Sequence, residues 1–111
     1  MTFEKFQQFI TEQDALFNKL KGTNKNKRER IFVRTIKIGE EYGELCDQVL
    51  ASFGDQRRGK LERKNNVHLS DEFADVMITT CMLAKAMDID ILEALGHKIE
   101  KIRKKHNKQL K

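Results

Sequence analysis

Apolar residues recur at helical spacing along most of the chain, and this periodicity constrains the fold more than any other feature of the sequence. One face of segment 28–51 shows it clearly, at steps of seven, four, three and four: Ile31, Ile38, Tyr42, Leu45 and Val49. Such steps place the side chains on one side of a helix. The chain contains no proline, so long helices can run uninterrupted. The sequence therefore predicts an all-α fold.

Four helices are expected, joined by segments rich in glycine, asparagine and charge. The predicted bounds are Phe3–Leu20, Arg28–Ala51 and Ser70–Met87, with a last helix that follows Asp90 and runs to the end. Ser70 is the predicted N-cap of the third helix, and Asp90 that of the fourth. Residues 53–69 are a predicted loop. A chain of 111 residues suffices for one domain, so 1–111 are predicted to form a single domain.

Two features of the sequence favour a cytoplasmic protein without a membrane partner. The N-terminal stretch MTFEKFQQFI lacks the uninterrupted apolar run of a signal peptide, and no segment approaches the length of a membrane span. Cys46 and Cys81 show no metal-ligand spacing and lie within apolar helical patterns. They are predicted to be buried free thiols in a reducing compartment.

The charge is unevenly distributed along the chain. The formal net charge is +5, with basic residues concentrated in 21–30, 57–64 and 98–111 and acidic residues in 40–47 and 71–75. Basic patches attract nucleic acid, and they equally attract any polyphosphate. A helical nucleic-acid-binding protein is therefore one functional hypothesis.

The acidic residues fall on the predicted helices in a pattern with a spatial meaning. Residues three and four apart share a helical face, so Lys37, Glu41, Glu44 and Gln48 form one stripe. Glu72, Asp75 and Thr79 form a second stripe in the next helix. The segment 76–84, VMITTCMLA, carries no charge and is apolar on every side, which predicts a largely buried helix. The carboxylates therefore stand at the edge of the predicted core.

Carboxylates at that position need a proton, a cationic partner or a metal, since unpaired buried carboxylates cost several kcal/mol each. Lys37 is the one cation on either acidic stripe, which is too few to neutralise four acids. Oxygen ligands without histidine or cysteine favour a hard cation, Mg²⁺ or Mn²⁺. A solvated acidic surface is the alternative, because a single ExxE pair on a helix is common.

The acidic motifs resemble those of a known family. EEYGE (40–44) followed by EFAD (72–75) is similar to the EExxE…ExxD pattern of the MazG-like all-α nucleoside triphosphate pyrophosphohydrolases, with 27 residues between Glu44 and Glu72. KIGEE (37–41) and DIDILEAL (88–95) resemble further family motifs, so the resemblance covers about residues 28–103. Two positions differ from the family: Asp88 replaces a turn glycine, and Ile102 replaces an asparagine of the last helix.

The resemblance implies a four-helix MazG-like bundle completed by homodimerisation, or a tetramer. It also implies a Mg²⁺-dependent enzyme, with Mn²⁺ possible, that cleaves a nucleotide between its α and β phosphates into the monophosphate and pyrophosphate. The implied roles are metal binding by Glu41, Glu44, Glu72 and Asp75, catalysis by Glu40 and Glu41, and substrate binding by Lys37 and Lys98.

Two alternatives remain at this point. A catalytically degenerate member would keep the fold and the metal without turnover, which the replacement at Ile102 keeps open. A nucleic-acid-binding protein is less favoured, because the acidic residues would contribute nothing to binding nucleic acid. The sequence leaves open the base, the sugar, the preference for di- or triphosphate, the number of metals, and dimer or tetramer.

Overall fold

The computed structural model describes residues 1–21, 26–54 and 66–110, and these form four helices without a strand. Helix α1 spans Phe3–Lys21, α2 spans Lys27–Ser52, α3 spans Asn66–Ala86 and α4 spans Ile91–Leu110. The all-α prediction is confirmed. Residues 55–65, which hold the basic segment 57–64 and most of the predicted loop, lie outside the described ranges.

Side-chain caps fix where two of the helices begin. The Oδ1 atom of Asn26 accepts a hydrogen bond from the backbone N–H of Glu29 at 2.9 Å, which caps α2. The Oδ1 atom of Asp90 accepts from the backbone N–H of Glu93 at 3.1 Å, which caps α4 and confirms the predicted N-cap. Each cap satisfies a backbone donor that the first helical turn leaves without a partner.

The predicted start of the third helix at Ser70 is wrong. Residues 66–69 are already helical, so Ser70 lies inside α3. Leu69 is half-buried, three residues before Glu72 and seven before Val76, which are half-buried as well. Continuing the helix through Leu69 extends this inward face by another turn, and burial of the leucine outweighs the preference of serine for a cap.

A tight turn ends α3 and sends the chain into α4. The backbone N–H of Ile89 donates to the carbonyl of Ala84 at 2.9 Å, and the N–H of Asp88 donates to that of Lys85 at 3.2 Å. This is the Schellman arrangement, which places a left-handed residue after the helix. Asp88 is that residue, with φ of 56°, at the position where the resemblance expected glycine.

Helix α3 lies at the centre of the described fold, with α2 and α1 packed against it. Helices α2 and α3 run antiparallel, because Arg34 meets the carbonyl of Met82 while Glu41 lies beside Asp75. Among the side chains that the structure describes, the buried apolar residues are Ile10, Ala51, Met82 and Ala84. No described helix combines the length and hydrophobicity needed to cross a lipid bilayer.

Helix α4 extends away from the other three. Every residue from Leu92 to Gln109 is exposed, including an apolar stripe of Leu92, Leu95, Ile99 and Ile102. The radius of gyration is 17.5 Å. A compact domain of this length would have a radius of gyration of about 13 Å. The single chain therefore leaves apolar surface open that a closed bundle would bury.

Burial is lower than the sequence predicts at several positions of α2 and α3. Met77 and Thr80 of the segment 76–84 are exposed, Tyr42 is exposed on the predicted apolar face of α2, and Cys46 and Cys81 are free thiols that are only half-buried. Neighbouring helices cover α3 on one side, so an all-round apolar helix keeps an open face within the single chain.

Candidate metal centre

Three carboxylates from two helices converge at the α2–α3 contact. One oxygen each from Glu41, Glu72 and Asp75 lies within 4.8 Å of the others. Ligands at opposite corners of a Mg²⁺ octahedron are about 4 Å apart, so small side-chain rotations bring these oxygens into one coordination shell. The antiparallel crossing of two helices, each with acids three residues apart, brings them together.

Burial distinguishes this cluster from an ordinary acidic surface. Glu41 is 8% exposed, and Glu72 and Asp75 are half-buried. Burial raises the pKa of Glu72, and the charges of Glu44, Asp75 and Glu41 raise it further. Burial also raises the pKa of Asp75, and the charge of Glu41 adds to the effect. The cluster therefore holds more negative charge than its surroundings stabilise.

Several buried oxygens at this contact have no hydrogen-bond donor within the described ranges. They are Oε2 of Glu41, Oε1 of Gln48 and Oε2 of Glu72. A buried acceptor left unsatisfied costs about 1–3 kcal/mol, and more when it is charged. A hard cation would satisfy the carboxylate oxygens. The donor set therefore fits Mg²⁺ or Mn²⁺.

Lys37 is the cationic neighbour of the cluster. Its Nζ atom lies 3.1 Å from Oε1 of Glu41 and 3.6 Å from Oε2 of Glu40. The hydrogen bond to Glu41 raises the pKa of Lys37, so the ammonium form is favoured. One lysine neutralises one carboxylate, and the other oxygen of Glu41 stays without a donor.

A cavity of about 490 Å³ opens beside the carboxylates, between α1, α2 and α3. This volume lies within the range of small-molecule sites in proteins. Its ionic end contains Lys37, Glu40, Glu41 and Asp75. The rest of the wall combines the apolar side chains of Phe17, Val33, Ile36, Ile78 and Met82 with Asn18, Arg30, Arg34 and Thr79. The cavity thus joins an ionic end to a wall that is mostly apolar and includes two arginines.

Arg34 connects the three helices around this cavity. Its Nη1 atom lies 2.7 Å from Oδ1 of Asp14 and donates to the carbonyl of Met82 at 2.8 Å. Its Nη2 atom donates to Oδ1 of Asn18 at 3.4 Å. Arg34 is 9% exposed, so this charge is buried and paired. The network fixes α1, which carries Phe17 and Asn18 into the cavity wall.

The structure brings together some of the residues predicted for the site and separates others. Glu44 is exposed and lies outside the group of three, although its charge acts on Glu72. Glu40 is exposed at the cavity edge. Lys98 lies exposed on α4 and does not line the cavity.

The comparisons with known proteins bear on this site directly. The family model of the MazG nucleotide pyrophosphohydrolase domain matches residues 35–110. The chain belongs to the MazG family. The match includes most of α2 and all of α3 and α4, and it begins after α1. No curated protein and no solved structure matches the chain.

Sequence reasoning placed Gln48 on the acidic stripe of this MazG chain without giving it a role, and it did not identify Arg34 or Asn18. Arg34 and Gln48 lie on the stripe of Glu41, seven residues to either side, so helical spacing carried a signal for both. Asn18 carried no such signal, because its place in the cavity wall depends on how α1 packs. The side chain of Arg34 is buried, which the charge of the residue alone does not predict.

Proposed function

We propose that this MazG chain is a Mg²⁺-dependent nucleotide pyrophosphohydrolase that converts a nucleoside triphosphate into the monophosphate and pyrophosphate. The observation that carries the proposal is the convergence of Glu41, Glu72 and Asp75 at the ionic end of the cavity. Membership of a nucleotide pyrophosphohydrolase family supports it. A cytoplasmic role in nucleotide housekeeping forms part of the same proposal.

In this proposal Glu41, Glu44, Glu72 and Asp75 hold the cation, with Mn²⁺ as an alternative to Mg²⁺. The raised pKa values of Glu72 and Asp75 support it, because nearby positive charge would relieve the repulsion behind part of each shift. A bound Mg²⁺ would neutralise the triphosphate oxygens and polarise the phosphorus under attack.

The protein side chains would then position water and substrate. Glu40 is exposed at the cavity edge, where its carboxylate can accept the proton of an attacking water. Glu41 would orient that water. As the water oxygen bonds to the α phosphorus, the bond to the bridging oxygen breaks, and pyrophosphate leaves with its electron pair.

Lys37 and the cavity walls would hold the two ends of the substrate. The ammonium of Lys37 faces the ionic end and would pair with a phosphate oxygen. The wall between Phe17 and Met82 offers apolar surface to a planar base, next to Arg34 and Asn18. Phosphates and base would therefore lie in opposite ends of one cavity.

A homodimer completes the proposal. The exposed stripe of α4, with Leu95 and Ile99 at its centre, is apolar surface that a second copy would cover. Lys98 lies on this projecting helix, so it would reach a phosphate in the site of the partner chain. Sedimentation should give twice the chain mass of 13.0 kDa, or four times that mass for a dimer of dimers.

The proposal is tested by pyrophosphate release from a panel of ordinary and modified nucleoside triphosphates. Release should require Mg²⁺, disappear with chelator and fall by about a hundredfold or more in Glu41→Gln. Glu12→Gln is the matched control, because Glu12 is an exposed acid of α1 away from the cavity. The best substrate of the panel would identify the base and sugar that the cavity accepts.

Two other outcomes would replace the proposal. Mg²⁺ binding without release from any nucleotide would establish a catalytically degenerate member. Salt-sensitive binding of DNA or RNA that survives both chelation and Glu41→Gln would indicate the nucleic-acid-binding alternative.

A further inference from the structure

Gln48 extends the acidic stripe of α2 by one further turn. Glu41, Glu44 and Gln48 follow one another at steps of three and four, so their side chains share a helical face. At about 1.5 Å of rise per residue, the Cα of Gln48 lies about 6 Å beyond that of Glu44 along the axis. Gln48 is therefore the next polar side chain on the face that turns towards α3.

The Oε1 atom of Gln48 is buried and meets no hydrogen-bond donor in the described chain. The same is true of Oε2 of Glu72, on the helix that packs against this face. Two acceptors without donors at one helix contact create a demand for positive charge or for a bound water. A buried amide oxygen without a donor costs free energy that an apolar side chain would not, so the presence of Gln48 at this position suggests that its amide binds a ligand.

The position of Glu44 links Gln48 to the carboxylate cluster. Glu44 precedes Gln48 by one turn, and its charge acts on Glu72 more strongly than that of Asp75 or Glu41 does. Glu72 is itself a member of the cluster, so the charge of Glu44 reaches the cluster from the same face of α2 that carries Gln48. Gln48 lies one helical turn beyond Glu44 on that face.

We propose that Oε1 of Gln48 is a further oxygen ligand for a divalent cation, held on the Glu44 side of Glu72. This inference rests on the proposed metal centre and adds a residue that the EExxE…ExxD motif does not contain. An amide oxygen suits Mg²⁺ or Mn²⁺ and adds no negative charge to a site that already contains several carboxylates. It also needs no deprotonation, so its contribution is independent of pH.

The test measures Mn²⁺ binding to the full chain without nucleotide. Calorimetry gives the affinity and stoichiometry, and the electron paramagnetic resonance signal of free Mn²⁺ gives the unbound concentration. Gln48→Met keeps the length and flexibility of the side chain and replaces the amide by a soft thioether that Mn²⁺ does not favour. We expect this variant to bind Mn²⁺ about 10–100-fold more weakly or to lose one bound ion. Gln8→Met, on the exposed surface of α1, is the control.

Two further measurements separate ligation from packing. The Tm of Gln48→Met in chelator should equal or exceed that of the parent, because a buried acceptor without a donor has been removed. Gln48→Glu should bind Mn²⁺ again, with a steeper pH dependence than the parent shows, because one more carboxylate must lose its proton. This variant also serves if Gln48→Met fails to fold.

The outcomes distinguish this inference from the proposed function. Parental Mn²⁺ affinity and stoichiometry in Gln48→Met would overturn it while leaving the enzyme proposal in place. Weakened Mn²⁺ binding in a chain that hydrolyses no nucleotide would support it while the enzyme proposal fails. A parent chain that binds no Mn²⁺ would overturn both.

Discussion

The buried ion pair between Arg34 and Asp14 should contribute far more to stability than an exposed pair of the same length. The N–O distance is 2.7 Å, and the side chains of Arg34 and Asp14 are 10% and 21% exposed. Removing one partner of a buried pair costs about 3–5 kcal/mol. Asp14 keeps some contact with solvent, and Arg34 keeps the carbonyl of Met82, so we expect about 2–3 kcal/mol for Asp14→Asn.

Urea unfolding measures this loss. With a slope of about 1.5 kcal/mol per molar urea, the unfolding midpoint should fall by roughly 1–2 M. Protein and Mg²⁺ concentrations must be constant, since association and ligand binding both change apparent stability.

The chain offers a matched control for burial. Lys27 and Asp88 also lie 2.7 Å apart, but their side chains are 55% and 80% exposed. Asp88→Asn makes the same chemical change, and asparagine is tolerated in the left-handed region that Asp88 occupies. Its midpoint should be almost unchanged. Equal shifts for Asp14→Asn and Asp88→Asn would refute the burial argument.

Two further predictions concern the acidic cluster and the turn after α3. The pKa of Glu72 and that of Asp75 are raised above ordinary values of 4.5 and 3.8, so the folded chain binds more protons than the unfolded chain above those values. In chelator, Tm should therefore fall as pH rises from about 4 towards neutrality. Mg²⁺ should remove or reverse this slope. A flat profile of Tm against pH in chelator would contradict the raised pKa values of the cluster. Asp88→Gly should raise Tm by a few degrees, because glycine adopts a φ of 56° without strain, whereas a lower Tm would show that the bond to Lys27 matters more.

Helical periodicity carried enough information to predict the four helices and the acidic stripes. A period of 3.6 residues is a local property, so Glu41 and Glu44 could be assigned to one face before any contact was known. The N-cap at Asp90 was predictable for the same reason, because a cap is made within a few residues. Local rules therefore predicted the helices, the N-cap at Asp90 and the residues that share a face of each helix.

Features that depend on contacts between helices were harder to predict from the sequence. Ser70 has the character of a cap, yet packing of Leu69 continues α3 past it. Arg34 has the character of a surface residue, yet α1 supplies Asp14 and Asn18 to receive its guanidinium. The cavity required the placement of three helices. None of these is encoded in the spacing of one segment.

The shape and the charge of the cavity depend on different helices. Helix α1 contributes Phe17 and Asn18 to the wall and none of the carboxylates of the cluster, and the MazG match begins only after it. Substitutions along α1 can therefore reshape the space beside the carboxylates while leaving their charge untouched. Under the proposed function, substrate selectivity and reactivity would diverge independently, and α1 would be the segment to exchange when redesigning what the cavity admits.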